Sequence, residues 1–211
     1  MISSADCLKL WEAGAGLHPL DRGLLILDAA LPERSPEALA DWPLGRRNQA
    51  LARVHCASFG RYLQGWTACR RCGEKLEVQV DGRLLAEGEA PPDPAAPEPI
   101  VVNGHKFRRV TTRDLAAVAR ETEVRQATLR LVHRCQLEPA ETQLALRCPA
   151  CEQEWEETLD IVAFLWREIE ARARRLVREI HWLAATYGWA EADILAMSAV
   201  RRALYLEMME A

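Results

Sequence analysis

The stretch Cys69-Arg-Arg-Cys72-Gly-Glu-Lys-Leu-Glu-Val-Gln-Val80 is one half of a site. Its cysteines stand two residues apart, a glycine follows at once, and Leu76, Val78 and Val80 then alternate with Glu77 and Gln79 as in a half-buried β-strand. The other half is Cys148-Pro-Ala-Cys151, set between two further alternating runs, Thr142 to Cys148 and Glu154 to Leu159. Two such knuckles bring four thiolates, a soft donor set that suits one tetrahedral zinc ion. Gly73 and Pro149 fit the tight turns that aim backbone amides at the sulfurs. A compact zinc ribbon separates its knuckles by roughly 15–20 residues. Here residues 73–147 intervene, so much of that chain reads as an insertion.

Four thiolates leave no coordination position open for a substrate, which makes the expected site structural rather than catalytic. Two other readings compete with it. The pairs are unrelated buried cysteines, or one of them is a redox pair of thioredoxin type. The second requires a helix N-terminus beside the pair to lower a thiol pKa, and neither knuckle opens a helix. Cys7, Cys56 and Cys135 read as small core residues, and His55 and His133 as non-ligands. The five histidines (18, 55, 105, 133 and 181) form no metal or triad spacing, and no phosphate-binding glycine loop or nucleophile elbow occurs. Glu154, Glu156 and Glu157 read as the charged edge of a ribbon strand. The expectation is a protein that is not an enzyme.

The remaining chain is mostly helical in pattern. Residues 1–65 carry Asp21 as an N-cap before Leu24–Leu27, a Ser35-Pro36 helix start, and an amphipathic run from Arg46 to Phe59 stopped by Gly60. Asp81-Gly82 has the chemistry of a hairpin turn before Leu84 and Leu85, and Asn103-Gly104 that of a second hairpin between Ile100 and Val110. The proline-rich run 88–99 reads as an extended loop, and helices are expected from Thr111 to Arg120 and from about 124 to 135. From Val162 to Tyr187 apolar residues recur at steps of three and four along one long amphipathic helix, with Gly188 as its stop. A short helix to Met197 and a Ser198-capped helix from Ala199 complete the chain. The fold class is therefore α+β, mainly α. A helical region (1–65) precedes a small antiparallel zinc-ribbon module (66–158) with its loop at 88–99 and helical insertion at 111–135. A long helix with a helical hairpin (159–211) closes the chain.

A net charge of −4 and a pI near 5.8 argue against nucleic acid or an anionic membrane as the main partner. The N-terminus lacks the basic and apolar regions of a secretory signal, and no run reaches the ~18 apolar residues of a spanning helix. Cysteines without export favour metal binding over disulfides, and the expected location is the cytoplasm. The C-terminal segment has two readings. A capped turn before Arg201 and Arg202 resembles a helix-turn-helix and hence a nucleic-acid-binding regulator. Alternatively, Trp182, Tyr187, Trp189, Arg201, Arg202 and Tyr205 form a protein–protein surface, since aromatic residues and arginine dominate such surfaces.

The ending Leu183-Ala-x-x-Tyr187-Gly-Trp-x-Glu-x-Asp-Ile-Leu-x-Met197, with Arg201-Arg202-x-x-Tyr205-Leu206, resembles the T-even-type phage baseplate proteins, small proteins of contractile phages and phage-tail-like injection systems. Cys69-x-x-Cys72-Gly-Glu-x-Leu-Glu is similar to their zinc-bearing subset. So are Phe107-Arg-x-Val-Thr-Thr-x-Asp-Leu115 and the helix start from Asp160 to Trp166. The resemblance covers most of residues 40–211, and the Ala/Pro run at 88–99 departs from it. It implies a non-enzymatic role in building the baseplate or its hub, with other baseplate or tail subunits as partners.

Overall fold

The computed structural model describes residues 1–87, 100–102, 105–120, 135–136 and 142–210. The proline-rich run, the Asn103-Gly104 turn, His133 and almost all of the helix expected from 124 lie outside them.

Four helices open the chain: α1 (Ser4–Gly14), α2 (Pro19–Ala30), α3 (Pro36–Ala40) and α4 (Leu44–Ser58). Each of the first three is capped by the side chain before it. Ser3 accepts from the Asp6 amide at 3.1 Å, His18 Nδ1 from Leu20 at 3.3 Å, and Ser35 from Ala38 at 3.3 Å. The cap of α2 is thus His18 and not Asp21. Pro19 takes the first helical position, where its fixed φ and missing N–H cost nothing, and this pulls the start of the helix upstream. Asp21 then sits in the first turn, facing the positive end of the helix.

Strands β1 (Tyr62–Ala68) and β2 (Lys75–Asp81) form an antiparallel hairpin with Leu63 opposite Val80 and Ala68 opposite Lys75. The turn of this hairpin is the first cysteine knuckle, so β2 pairs backward in the chain and Asp81-Gly82 makes no hairpin. Instead the Asp81 carboxylate accepts from the Arg83 amide at 3.1 Å and caps a short helix, α5 (Gly82–Ala86). Gly82 is buried there because a Cβ would meet Cys56 Sγ, the Arg61 carbonyl and Leu63, all under 3.0 Å away.

The expected second hairpin is present as β3 (Ile100–Val102) and β4 (His105–Arg109), followed by α6 (Thr112–Arg120). Cys135, expected to end a helix, lies with Gln136 in β5, which runs parallel to β4. Strands β6 (Thr142–Arg147) and β7 (Glu154–Leu159) make another antiparallel hairpin, turned by the second knuckle.

Helix α7 (Ile161–Tyr187) follows, started by the Asp160 carboxylate on the Ala163 amide and ended at Gly188, whose φ of 70° suits glycine. The first half of α7 is the spine of the molecule. Val162, Leu165, Trp166, Ile169, Ala173 and Leu176 are buried against Leu8 and Leu10 of α1, Ile26 and Leu27 of α2, and Leu51 of α4. Residues 1–65 and the start of α7 therefore share one core. Helices α8 (Glu191–Ala196) and α9 (Ala199–Glu210) fold back on the second half of α7, where Leu183 and Ile194 are fully buried. The fold is α+β and mainly α.

His55, on α4, is buried with its ring against Phe59 and Phe164, and its Nδ1 has no hydrogen-bond partner among the described residues. Burial lowers its pKa from the ordinary value of 6.5. A histidine with a depressed folded pKa leaves stability intact above about pH 6.5. Below it, the unfolded chain takes up a proton that the folded one resists, and stability falls. Denaturant unfolding from pH 7.5 down to 5 should show this decline, and His55→Phe should make it shallower at the acid end.

Candidate metal centre

The two knuckles have the same backbone. In each, the first cysteine donates its amide to the carbonyl five residues on, Cys69 to Glu74 at 2.8 Å and Cys148 to Gln153 at 2.9 Å. In each, its carbonyl accepts from the amide four residues on, from Gly73 at 2.9 Å and from Glu152 at 3.0 Å. That fourth residue must be left-handed: Gly73 has φ 75° and Glu152 φ 57°. The counterpart of Gly73 is thus Glu152, and Pro149 corresponds to Arg70. A glutamate in the left-handed region carries no glycine signal, so the sequence points to Pro149 rather than to Glu152 as the partner of Gly73.

These turns present their sulfurs to one another. Cys69 Sγ lies 3.6 Å from Cys151 Sγ, Cys72 Sγ lies 3.6 Å from Cys148 Sγ, and all four fall within 4.8 Å. A disulfide would need about 2.05 Å. A tetrahedron with metal–sulfur bonds of about 2.3 Å has edges near 3.8 Å, so the four thiols form a set that can hold a metal ion. Cys69 and Cys148 are buried, Cys151 is half-buried and Cys72 is exposed, which puts the first cysteine of each knuckle on the inside.

The electrostatics fit the same use. Amide bonds from Cys72 and Arg71, with help from the neighbouring thiols, lower the Cys69 thiol to about 6. Cys72 receives an amide bond from Glu74 that favours its thiolate, but its cysteine neighbours, Cys151 foremost, push it up to about 12. Cys151 has a favouring amide bond at Gln153, yet burial with Cys69 and Cys148 raises it. Four sulfurs this close share few thiolates on their own, because each added negative charge opposes the next. A bound cation reverses that penalty, so metal binding here displaces protons.

Beyond the cluster the hairpins stay separate sheets, since β1–β2 and β6–β7 share no ladder. Arg70 Nη2 reaches the Glu157 carboxylate at 3.2 Å, and Trp155 Nε1 donates to the same group at 3.2 Å. Glu157 therefore faces the opposite hairpin, whereas Glu154 and Glu156 are on the exposed face of β7. A cleft of about 350 Å³ lies between the hairpins, lined by Leu63, Val78, Val80, Leu144, Leu146 and Phe164. Trp66, on the outer face of β1, is 73% exposed and was not singled out by the sequence pattern.

The other cysteines with described side chains stand apart. Cys7 is buried and donates toward the Ile169 carbonyl at 3.5 Å, with burial raising its thiol pKa. Cys56 packs on Gly82, and burial raises it also.

At the C-terminus the six residues expected at an interface divide. Tyr187 and Trp189 stack at 4.5 Å, and Tyr205 meets Trp189 edge-on at 4.8 Å, so these three lock α7 to α9. Trp182 is 55% exposed, and Arg201 is exposed with its guanidinium over Tyr205. Arg202 differs from Arg201: it is 2% exposed and faces inward. Its Nε donates to Glu179 at 2.9 Å, Nη1 to the Met197 carbonyl at 2.6 Å and Nη2 to the Ser4 hydroxyl at 3.4 Å. The helix phase puts Arg201 outside and the next residue, 100° round, inside.

Compared with known protein families, with curated proteins and with solved structures, the chain has no match in any of the three.

Two outcomes follow from the geometry. Titrating metal-free protein with Zn²⁺ in weak buffer near neutral pH should release protons. The affinity should drop as pH is lowered, and Cys72→Ser should weaken it by on the order of 100-fold, both readable by competition with a chelator. Arg202→Met leaves Glu179 without its buried partner and should destabilise α8 and α9 by about 3 kcal/mol. Amide hydrogen exchange should rise there while α1 to α4 keep their protection.

Proposed function

We propose that this protein is a non-enzymatic structural or assembly component of the baseplate of a contractile tail or phage-tail-like injection machine, held together by one structural zinc. The observation that carries this reading is the C-terminal unit. The residues that carry the resemblance act as one object: Leu183 and Ile194 are buried together, Tyr187, Trp189 and Tyr205 interlock, and Arg202 is anchored on Glu179. Such a unit is a rigid platform for a neighbouring subunit, with Trp182 and Arg201 on its outside.

The zinc assignment rests on donor chemistry. Four cysteine sulfurs favour a borderline-soft ion without a preferred d-electron geometry, and four thiolates complete a tetrahedron. Cys69, Cys72, Cys148 and Cys151 would hold the ion, which supplies folding free energy and no reaction. The rival function, a nucleic-acid-binding regulator, is weakened by the position of Arg202. A recognition helix led by Arg201 and Arg202 keeps only one of the two arginines free to reach a phosphate or base edge.

Deletion of the coding sequence from its source should yield sheaths and tubes that fail to acquire complete baseplates, seen by electron microscopy, and the tagged chain should co-purify with tail subunits. Intact, functional particles after deletion would remove the proposal. Salt-sensitive retention on duplex DNA, with no tail protein bound, would favour the regulator.

A further inference from the structure

Cys69 meets Cys151 at 3.6 Å and Cys72 meets Cys148 at 3.6 Å, so both of these sulfur contacts run between the hairpins. In the first knuckle the Arg71 amide donates to Cys69 Sγ at 3.4 Å, which fixes that sulfur facing the second hairpin. A disulfide needs about 2.05 Å, so each pair closes by a movement of roughly 1.5 Å. The sulfurs also differ in access. Cys72 is exposed and Cys151 half-buried, while Cys69 and Cys148 are buried. Each contact therefore joins an outer sulfur of one hairpin to an inner sulfur of the other. A small oxidant that reaches an outer thiolate meets one whose resolving partner is already in place.

We infer that this centre is a site of reversible oxidation by hydrogen peroxide, in which the metal clasp is replaced by two disulfides, Cys72–Cys148 and Cys69–Cys151, that tie the same hairpins together. The Cys72 thiolate attacks one peroxide oxygen, the O–O bond breaks, hydroxide leaves, and Cys72 holds a sulfenic acid. The Cys148 thiolate then attacks the Cys72 sulfur, forming the S–S bond and expelling a second hydroxide. Another peroxide takes Cys151 and Cys69 through the same steps. Two peroxides thus accept four electrons from four thiolates, and zinc leaves because no thiolate ligand remains.

Connectivity decides the consequence. Bonds within the knuckles, Cys69–Cys72 and Cys148–Cys151, also expel the ion, but they leave nothing covalent between the hairpins. Bonds across them keep the long loop from 73 to 147 closed. Oxidation then removes the metal without opening the clasp. The inference rests on the zinc reading of the four cysteines and is independent of the baseplate reading.

Zinc-loaded full chain treated with hydrogen peroxide in slight excess, with a chromophoric chelator reporting free zinc, tests it. All bound zinc should be released as the protein mass falls by four hydrogens. Trypsin cuts after Arg61, Arg70, Arg71, Lys75, Arg147 and Arg167, so it separates Cys69 from Cys72 but keeps Cys148 with Cys151. Cross-hairpin bonds then hold three peptides in one species, and fragmentation between Cys148 and Cys151 assigns the pairs. In-knuckle bonds give a two-peptide species and a separate peptide with an internal disulfide. The oxidised protein should melt well above reduced protein stripped by chelator, and dithiothreitol with Zn²⁺ should restore the starting mass and metal content. In-knuckle bonds, the exchanged pairs Cys69–Cys148 and Cys72–Cys151, sulfinic or sulfonic acids in place of disulfides, zinc retained on four reduced cysteines, or a melt no higher than that of stripped protein would each overturn the inference. A chain that takes up no zinc at the outset sinks the zinc reading instead, and the bonds its thiols form under peroxide still decide this inference.

Discussion

The meeting of four thiols is the contact on which the middle of the molecule depends. Each hairpin has strands of six or seven residues, and an isolated two-stranded hairpin of that length is marginal in water. The two do not extend one another's ladders, and the cleft between them leaves their apolar faces only partly closed. What joins them at their tips is the pairing of Cys69 with Cys151 and of Cys72 with Cys148, aided by Arg70 on Glu157. The separation in sequence makes the tie more consequential, because it closes the long loop from 73 to 147 on itself.

Helix α7 does for the helices what the cysteines do for the strands. It follows directly from β7, so the orientation of the second hairpin sets where the spine begins, and Leu159 packs against the same core as Ile161 and Val162. Its first half completes a core built by α1, α2 and α4, and its second half carries α8 and α9. Arg202 links these regions, since one guanidinium reaches Glu179 of α7, the Met197 carbonyl and the Ser4 hydroxyl of α1. A charge in that position is stable only while all its partners are present. The C-terminal unit is thus tied both to the spine and to the start of the chain.

Proline, serine and glycine at helix ends, the period-four stripe of α7 and the alternation of β2, β6 and β7 act within a few residues, so they determine local structure wherever they fall. By itself the sequence therefore determined the helix starts at Ser35 and Asp160, the stop at Gly188, three of the four strands of the knuckle hairpins (β2, β6 and β7, while β1 falls partly in the region read as helical) and the four cysteines as one candidate site. It was misleading where a local signal served a tertiary purpose. Asp81-Gly82 has hairpin chemistry, but β2 was already paired with β1, so aspartate became a cap and glycine a close contact with Cys56. Pro149 drew attention because it is proline, while the residue that shares the backbone of Gly73 is a glutamate.

Only the tertiary structure decided the rest, because it depends on which faces meet. Neighbouring Arg201 and Arg202 are equivalent in composition and opposite in fate, one exposed and one buried on Glu179, because a helix turns 100° per residue and Glu179 stands on one side only. The common core of residues 1–65 and α7 arises from contacts more than a hundred residues apart, such as Cys7 with Ile169. The spacing Cys-x-x-Cys fixed that each pair would turn together. That the two turns have the same backbone and bring their sulfurs to 3.6 Å was fixed by the folding of everything between them.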